Sequence, residues 1–152
     1  VTHAATLPEA LAATHGAAFL TERPWSAAEF AALLAQPATV LAGDARSFIL
    51  GRVILDEAEV LTLATHPAHR RQGLARAALA AFLAQASDRG ATRAFLDVAE
   101  DNAPARALYA AAGFAETGRR AGYYAARDGA YPVARAAALI LARDLAPGQD
   151  RG

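Results

Sequence analysis

The sequence contains no cysteine, no methionine and no lysine. Without cysteine there is no disulfide framework, no thiolate metal site and no cysteine nucleophile. Its 15 basic residues are all arginine and balance 15 acidic ones, so the formal net charge is zero. A neutral chain is poorly suited to electrostatic binding along nucleic acid, although a local basic patch is compatible with it. No run of about 18 apolar residues is present to span a bilayer. The N-terminal segment also lacks the basic n-region of a secretory leader. These absences point to a soluble cytoplasmic domain with no nucleic-acid or membrane partner. With methionine missing throughout, Val1 is read as a processed, alternatively initiated or edited start.

What the chain has in excess is alanine, 45 of its 152 residues. This raises the hydrophobic fraction to 55% while adding little core volume. The content is still too apolar, and at 20% charged residues too weakly charged, for a disordered chain. The length suits one domain, which buries roughly 70% of its unfolded surface. We place that domain at 1–146 and expect the Pro- and Gly-containing 147–152 to be a frayed tail.

Apolar spacing predicts helices over 7–18 and 26–36, the second opened by a capping box of Ser26 and Glu29. Strands follow at 38–43, 46–55 and 58–65, rich in Val, Ile, Leu and Thr. The clearest helix covers 74–88, with Leu74, Ala78, Leu79, Phe82, Leu83 and Ala86 on one face and Gly90 as its stop. A strand over 93–99 precedes a helix over 103–112, capped by Asn102. Closing strands are expected at 114–117 and 133–145, separated by a loop over 118–132. There is no internal repeat. The order predicts an α+β or α/β class, a single sheet covered by helices.

The most informative stretch is His66-Pro67-Ala68-His69-Arg70-Arg71-Gln72-Gly73-Leu74-Ala75-Arg76, which leaves a strand and opens the strongest helix. The unpaired N–H groups and positive dipole end of a helix start suit a phosphate. Gly73 lets the backbone approach an anion closely, and Arg70, Arg71 and Arg76 add permanent charge. The same residues also make an ordinary helix start. Neither a Walker loop nor a G-x-G-x-x-G fingerprint is present. His66 and His69 have no third ligand nearby, so no metal site is expected.

That stretch resembles the coenzyme A motif of the Gcn5-related N-acetyltransferase (GNAT) superfamily, Arg/Gln-x-x-Gly-x-Gly/Ala, here Arg70 to Ala75. Leu96-Asp97-Val98-Ala99-Glu100-Asp101-Asn102, then Ala107-Leu108-Tyr109 and Ala112-Gly113-Phe114, are similar to the bacterial ribosomal-protein-alanine N-acetyltransferases within it. So are Pro24-Trp25-Ser26, Leu55-Asp56-Glu57-Ala58 and Arg119-Arg120-x-x-Tyr123-Tyr124. The resemblance implies a mixed sheet of six or seven strands flanked by helices. The strands at 58–65 and 93–99 would splay apart to admit the pantetheine arm of acetyl-CoA. It implies that backbone groups of Leu63, Ala64 and Thr65 pair with pantetheine in the manner of an added strand. It further implies that Arg71, Gln72, Gly73, Leu74, Ala75 and Arg76 hold the pyrophosphate and that Asn102 contacts coenzyme A.

Acetyl transfer from a thioester needs an amine without its proton, a stabilised oxyanion and a protonated leaving thiolate. A peptide α-amino group has a pKa of about 7.7–8.0, so a carboxylate in a partly desolvated cleft suffices as base. Backbone N–H groups near Ala64 or Thr65 would serve the oxyanion. The resemblance assigns the base to Asp97 and the acid to Tyr109. The residues alone leave Asp97 as an outward-facing solvated residue, Tyr109 as core packing and Asn102 as a helix cap. The relatives usually carry Glu at the position of Asp97, and the missing methylene shortens the reach by roughly 1.5 Å. We therefore expect Asp97 to act through an ordered water, or Glu100 to replace it.

The resemblance makes the N-terminal alanine of a ribosomal protein the expected acceptor. A small amine is the alternative, and a non-catalytic acetyl-CoA-binding module a third reading. The segment Asp128-Gly129-Ala130-Tyr131-Pro132-Val133-Ala134-Arg135-Ala136 lacks the acidic pair of those relatives, which an acidic groove for basic peptides would use. Trp25 and Tyr131 are candidates to line the acceptor site, or equally to pack or anchor loops.

Overall fold

The computed structural model describes residues 5–19, 23–121 and 137–146. The expected tail at 147–152, and Tyr131 with the rest of 122–136, lie outside the described residues.

Helix α1 (Leu7–Ala18) is capped by Thr6 and α2 (Ala27–Leu34) by Ser26. At α2 the capping box is complete: the Glu29 N–H donates to Ser26 Oγ at 3.1 Å and the Ser26 N–H donates back to Glu29 Oε1 at 3.2 Å. Three strands follow in an antiparallel meander, β1 (Thr39–Asp44), β2 (Ser47–Ile54) and β3 (Glu57–Thr65). A single 3-10 turn at Pro67–His69 leads into α3 (Leu74–Asp88). Then come β4 (Arg93–Ala99), α4 (Ala103–Ala111), β5 (Ala115–Arg120) and β6 (Ala138–Asp144). The sheet runs β1-β2-β3-β4-β6-β5, and only the β3/β4 pair is parallel. The α+β class agrees with the order of elements in the sequence, and the mixed sheet of six strands with the six or seven that the family resemblance implies.

Strand alternation divides the core between the two sheet faces. Val40, Ala42, Ile49, Ala58, Leu96 and Val98 pack against Leu79, Phe82 and Leu83 of α3 and Tyr109 of α4. On the other face Phe48, Leu50 and Ala64 meet Leu11 of α1 and Phe30 of α2. Leu74, expected on the apolar face of α3, stays only half-buried at the helix start. Gly51 in β2 faces α3. A Cβ there would collide with the Glu59 carbonyl and come within 2.6 Å of the Phe82 ring, so the glycine sets how closely α3 lies on the sheet.

Two features depart from the sequence expectation. The β2/β3 register steps from Leu50↔Thr62 to Gly51↔Val60, leaving Leu61 as an extra residue. This β-bulge flips the faces: Ala58 and Val60 point toward α3, whereas Ala64 points toward α1 and α2. In addition, β5 extends through Arg120, where a loop from residue 118 is expected. As an edge strand it shows no buried alternation, and its register also shifts between Glu116 and Gly118. Among the described residues no helix is long and apolar enough to cross a membrane.

Candidate active site

The bulge and the parallel pair together open the sheet. β3 and β4 pair only at Glu57↔Arg93, Ala58↔Ala94 and Glu59↔Phe95, and beyond Glu59 the strands part. The gap is a cleft of about 480 Å³. Leu63, Asp97, Asn102 and Tyr109 line it together, with Phe19 and Trp25 forming a wall on the α1/α2 side. Four of the expected site residues, separated by up to 46 positions, therefore meet at one place. Ala64 and Thr65 do not line this cleft. Ala64 is buried, and the Thr65 hydroxyl pairs with that of Ser47 at 2.8 Å. The segment from Arg71 to Arg76 lies outside it, at the start of α3.

That helix start is built as an open cradle. Gly73 is the N-cap at φ 74°, with no side-chain hydrogen bond closing the end. Arg71 is also left-handed, at φ 63°, a conformation costing a non-glycine residue about 1–2 kcal/mol. A Cβ at Gly73 would meet nothing within 4 Å, so the space before the helix is clear. Arg70, Arg71 and Arg76 form no ion pair among the described residues. Uncapped N–H groups, a positive dipole end and three uncommitted guanidinium groups fit a diphosphate. The two histidines of the same segment stack edge-on at 5.9 Å. Among the described residues no group of three His, Asp or Glu stands ready for a metal ion.

Tyr109 is 4% exposed and meets Phe114 edge-to-face at 5.4 Å. Its hydroxyl has no hydrogen-bond partner among the described residues, yet no buried side-chain oxygen there is left unpartnered. The hydroxyl must therefore reach the open space of the cleft. Burial pushes its pKa well above the usual phenol value, so Tyr109 holds its proton throughout the neutral range. Asn102 caps α4 by accepting the Ala105 N–H at 3.2 Å, which leaves its amide hydrogens available to the cleft.

The carboxylates on and beside the cleft differ in their commitments. Glu100 is held by both nitrogens of Arg119, at 2.6 and 2.7 Å. Asp97 faces Arg120 at 3.5 Å, without the short fork. Glu59, also on the cleft, is tied to Arg52 at 2.7 Å. Asp97 is thus the cleft carboxylate with the loosest ion pair.

Sequence reasoning missed His15 and Thr62. His15 is 3% exposed on α1 and bonds to Thr62 Oγ1 through Nε2 at 3.1 Å, while its Nδ1 accepts the Trp25 N–H at 3.1 Å. The available signal was a histidine four residues from Leu11 and from Phe19 on the buried stripe of α1.

A parted parallel strand pair beside an arginine-rich, uncapped helix start places the chain in a class, and the sequence comparison agrees: it belongs to the acetyltransferase (GNAT) family, whose profile matches residues 7–114. It is 35% identical over 100 residues to the ribosomal protein bS18-alanine N-acetyltransferase of Escherichia coli strain K12. That stretch is 66% of this chain and 64% of the relative, so the match spans less than two thirds of the relative's length. The crystal structure of the ribosomal-protein-S18-alanine N-acetyltransferase from Escherichia coli matches with a TM-score of 0.79 at 29% identity, over 95% of this chain and 92% of that one. Ard1 from Thermoplasma volcanium shares the fold, with a TM-score of 0.73 at 24% identity, over 91% of this chain and 93% of that one.

Proposed function

We propose that the protein transfers an acetyl group from acetyl-CoA directly to an α-amino group, with the N-terminal alanine of a ribosomal protein as acceptor. The observation carrying this reading is the meeting of Asp97, Asn102 and Tyr109 in the gap between β3 and β4. Acetyl-CoA supplies the thioester. The α3 cradle suits its diphosphate, Asn102 and the edge of β3 left unpaired beyond Glu59 suit its arm, and Tyr109 on the same cleft would serve its sulfur. Asp97 takes the proton that the amine loses, through an ordered water that makes up for its short reach. Tyr109 donates to the departing sulfur. The C–N bond forms first, giving a tetrahedral oxyanion whose collapse breaks the C–S bond, and no acyl-enzyme is needed in a chain without cysteine. A ribosomal acceptor goes with a cytoplasmic setting.

The test is release of free thiol from acetyl-CoA with basic peptides beginning in Ala and with a panel of small amines. Peptide turnover is the expected result. Turnover of small amines alone would transfer the reading to that substrate class, and acetyl-CoA binding with no thiol release would make the protein a binding module. Asp97→Asn is expected to lower kcat/KM by about 10²-fold or more across pH 6–9. Unchanged rates across pH 6–9 would remove Asp97 from the mechanism.

Arg71→Ala and Arg76→Ala are each expected to raise the KM for acetyl-CoA about tenfold with kcat unchanged, as loss of a charge-assisted contact made equally before and during reaction. The effect should shrink as salt is raised. An unchanged KM in both variants would move the diphosphate elsewhere.

A further inference from the structure

His15 joins three parts of the molecule that meet at the cleft. It sits on α1, its Nδ1 receives the backbone N–H of Trp25, and its Nε2 meets the hydroxyl of Thr62 beside the β3 bulge. Accepting at Nδ1 requires that nitrogen to be bare, so the ring proton sits on Nε2 and is donated to Thr62 Oγ1. The ring is neutral and sits among aromatic side chains, 4.5 Å from Phe19, 5.3 Å from Trp25 and 5.6 Å from Phe30. Both Trp25 and Thr62 line the cleft. The imidazole therefore fixes the wall made by Phe19 and Trp25 to the bulge that opens the sheet.

The two sides of the cleft are unequal. α3, α4 and Tyr109 lie on one sheet face, with the anion cradle leading toward them. The wall that His15 holds lies on the other face, with α1 and α2. A cosubstrate held by the α3 cradle leaves that second wall to the acceptor.

We propose that His15 is a positioning residue for the acceptor: in its neutral form it clamps the Trp25 segment to the β3 bulge, and its protonation releases that segment and weakens acceptor binding while leaving acetyl-CoA binding unaffected. This inference rests on the acetyltransferase reading. Protonation would place a hydrogen on Nδ1 facing the Trp25 N–H, two donors in opposition. It would also put a charge inside an aromatic cluster. Burial lowers the His15 pKa below 6.5, with Glu29 on α2 opposing that shift and Arg23 beside Trp25 adding to it. From β3 only the uncharged Thr62 bonds to the ring, among the described residues. Because the folded state binds this proton less readily than the unfolded chain, the clamp is intact above pH 6.5 and is lost as the pH falls through the lowered value.

The single tryptophan provides a direct readout, because a protonated imidazole quenches an indole stacked on it. Trp25 fluorescence in the wild type should fall on acidification with a midpoint below pH 6.5, and this transition should be absent in His15→Gln. Glutamine retains a donor and an acceptor but does not titrate. The acceptor KM of the wild type relative to His15→Gln should rise about tenfold across the pH range of the fluorescence transition, the worth of one hydrogen bond, with the acetyl-CoA KM ratio flat. Taking the ratio cancels protonation of the amine itself. His15→Phe, which fills the aromatic cluster without hydrogen bonds, should raise the acceptor KM at every pH, and His15→Gln should rescue it at neutral pH. A flat acceptor ratio, or an equal rise in both KM values, would overturn the inference and leave the acetyltransferase reading standing. Acetyl-CoA binding with no turnover of any amine would overturn both, while the fluorescence titration still reports whether the ring is neutral. Should His15→Phe fail to fold, the comparison of wild type with His15→Gln decides the matter.

Discussion

Tyr109→Phe is expected to lower kcat by about 10²- to 10⁴-fold while the fold and the KM for acetyl-CoA persist. The separation of effects follows from the surroundings of the side chain. The ring is packed against Phe114, and phenylalanine would keep that contact. The hydroxyl bonds to no described residue, so its removal strands no buried partner and costs little stability. In the proposed reaction the hydroxyl donates toward the cleft, and burial keeps it protonated for that role. Thiol release at saturating acetyl-CoA, set beside a thermal melt of the same variant, measures both quantities. Full turnover, or a melt lowered by several degrees together with turnover, would assign Tyr109 to packing.

Gly51→Ala is expected to destabilise the sheet by about 3 kcal/mol, the upper end for overpacking a core. The added methyl would press on the Glu59 backbone carbonyl and on the Phe82 ring, which is itself fully buried against the sheet. The carbonyl belongs to the last paired residue before β3 leaves β4, and the ring belongs to α3, whose first turn forms the anion cradle. For a chain of this size the melting temperature should fall by roughly 6–12 °C. The KM for acetyl-CoA should rise as well, because α3 must shift outward to admit the methyl. A melt within a degree or two of wild type would mean that Phe82 turns aside freely and that α3 is not held by this contact.

Much of the fold is legible in the chain because its signals are local. The spacing of Ala78, Leu79, Phe82 and Leu83 marks α3, and Ser26 with Glu29 marks the start of α2. The concentration of arginine around Gly73 is legible too, since those residues are neighbours in the chain. The short reading of β5 has a physical cause. An edge strand with one partner and mostly exposed side chains carries no alternation, and Gly118 interrupts what pattern there is. His15 is illegible for a related reason: on an apolar stripe a histidine reads as core until its two partners, 10 and 47 residues away, are known.

By itself, the sequence determined that no cysteine side chain takes part, that charge is balanced overall yet concentrated as arginine at one helix start, and that alternating strands and amphipathic helices enclose a single sheet. Those properties depend on composition and on neighbours a few positions apart. The tertiary structure alone decided where β3 and β4 part, which face Ala64 presents after the bulge, that Glu100 is held by Arg119 while Asp97 faces Arg120 more loosely, and that a buried imidazole ties Trp25 to Thr62. Each of these depends on the register between segments distant in the chain. One extra residue in a strand exchanges its two faces, and no local pattern of apolar side chains records where that residue falls.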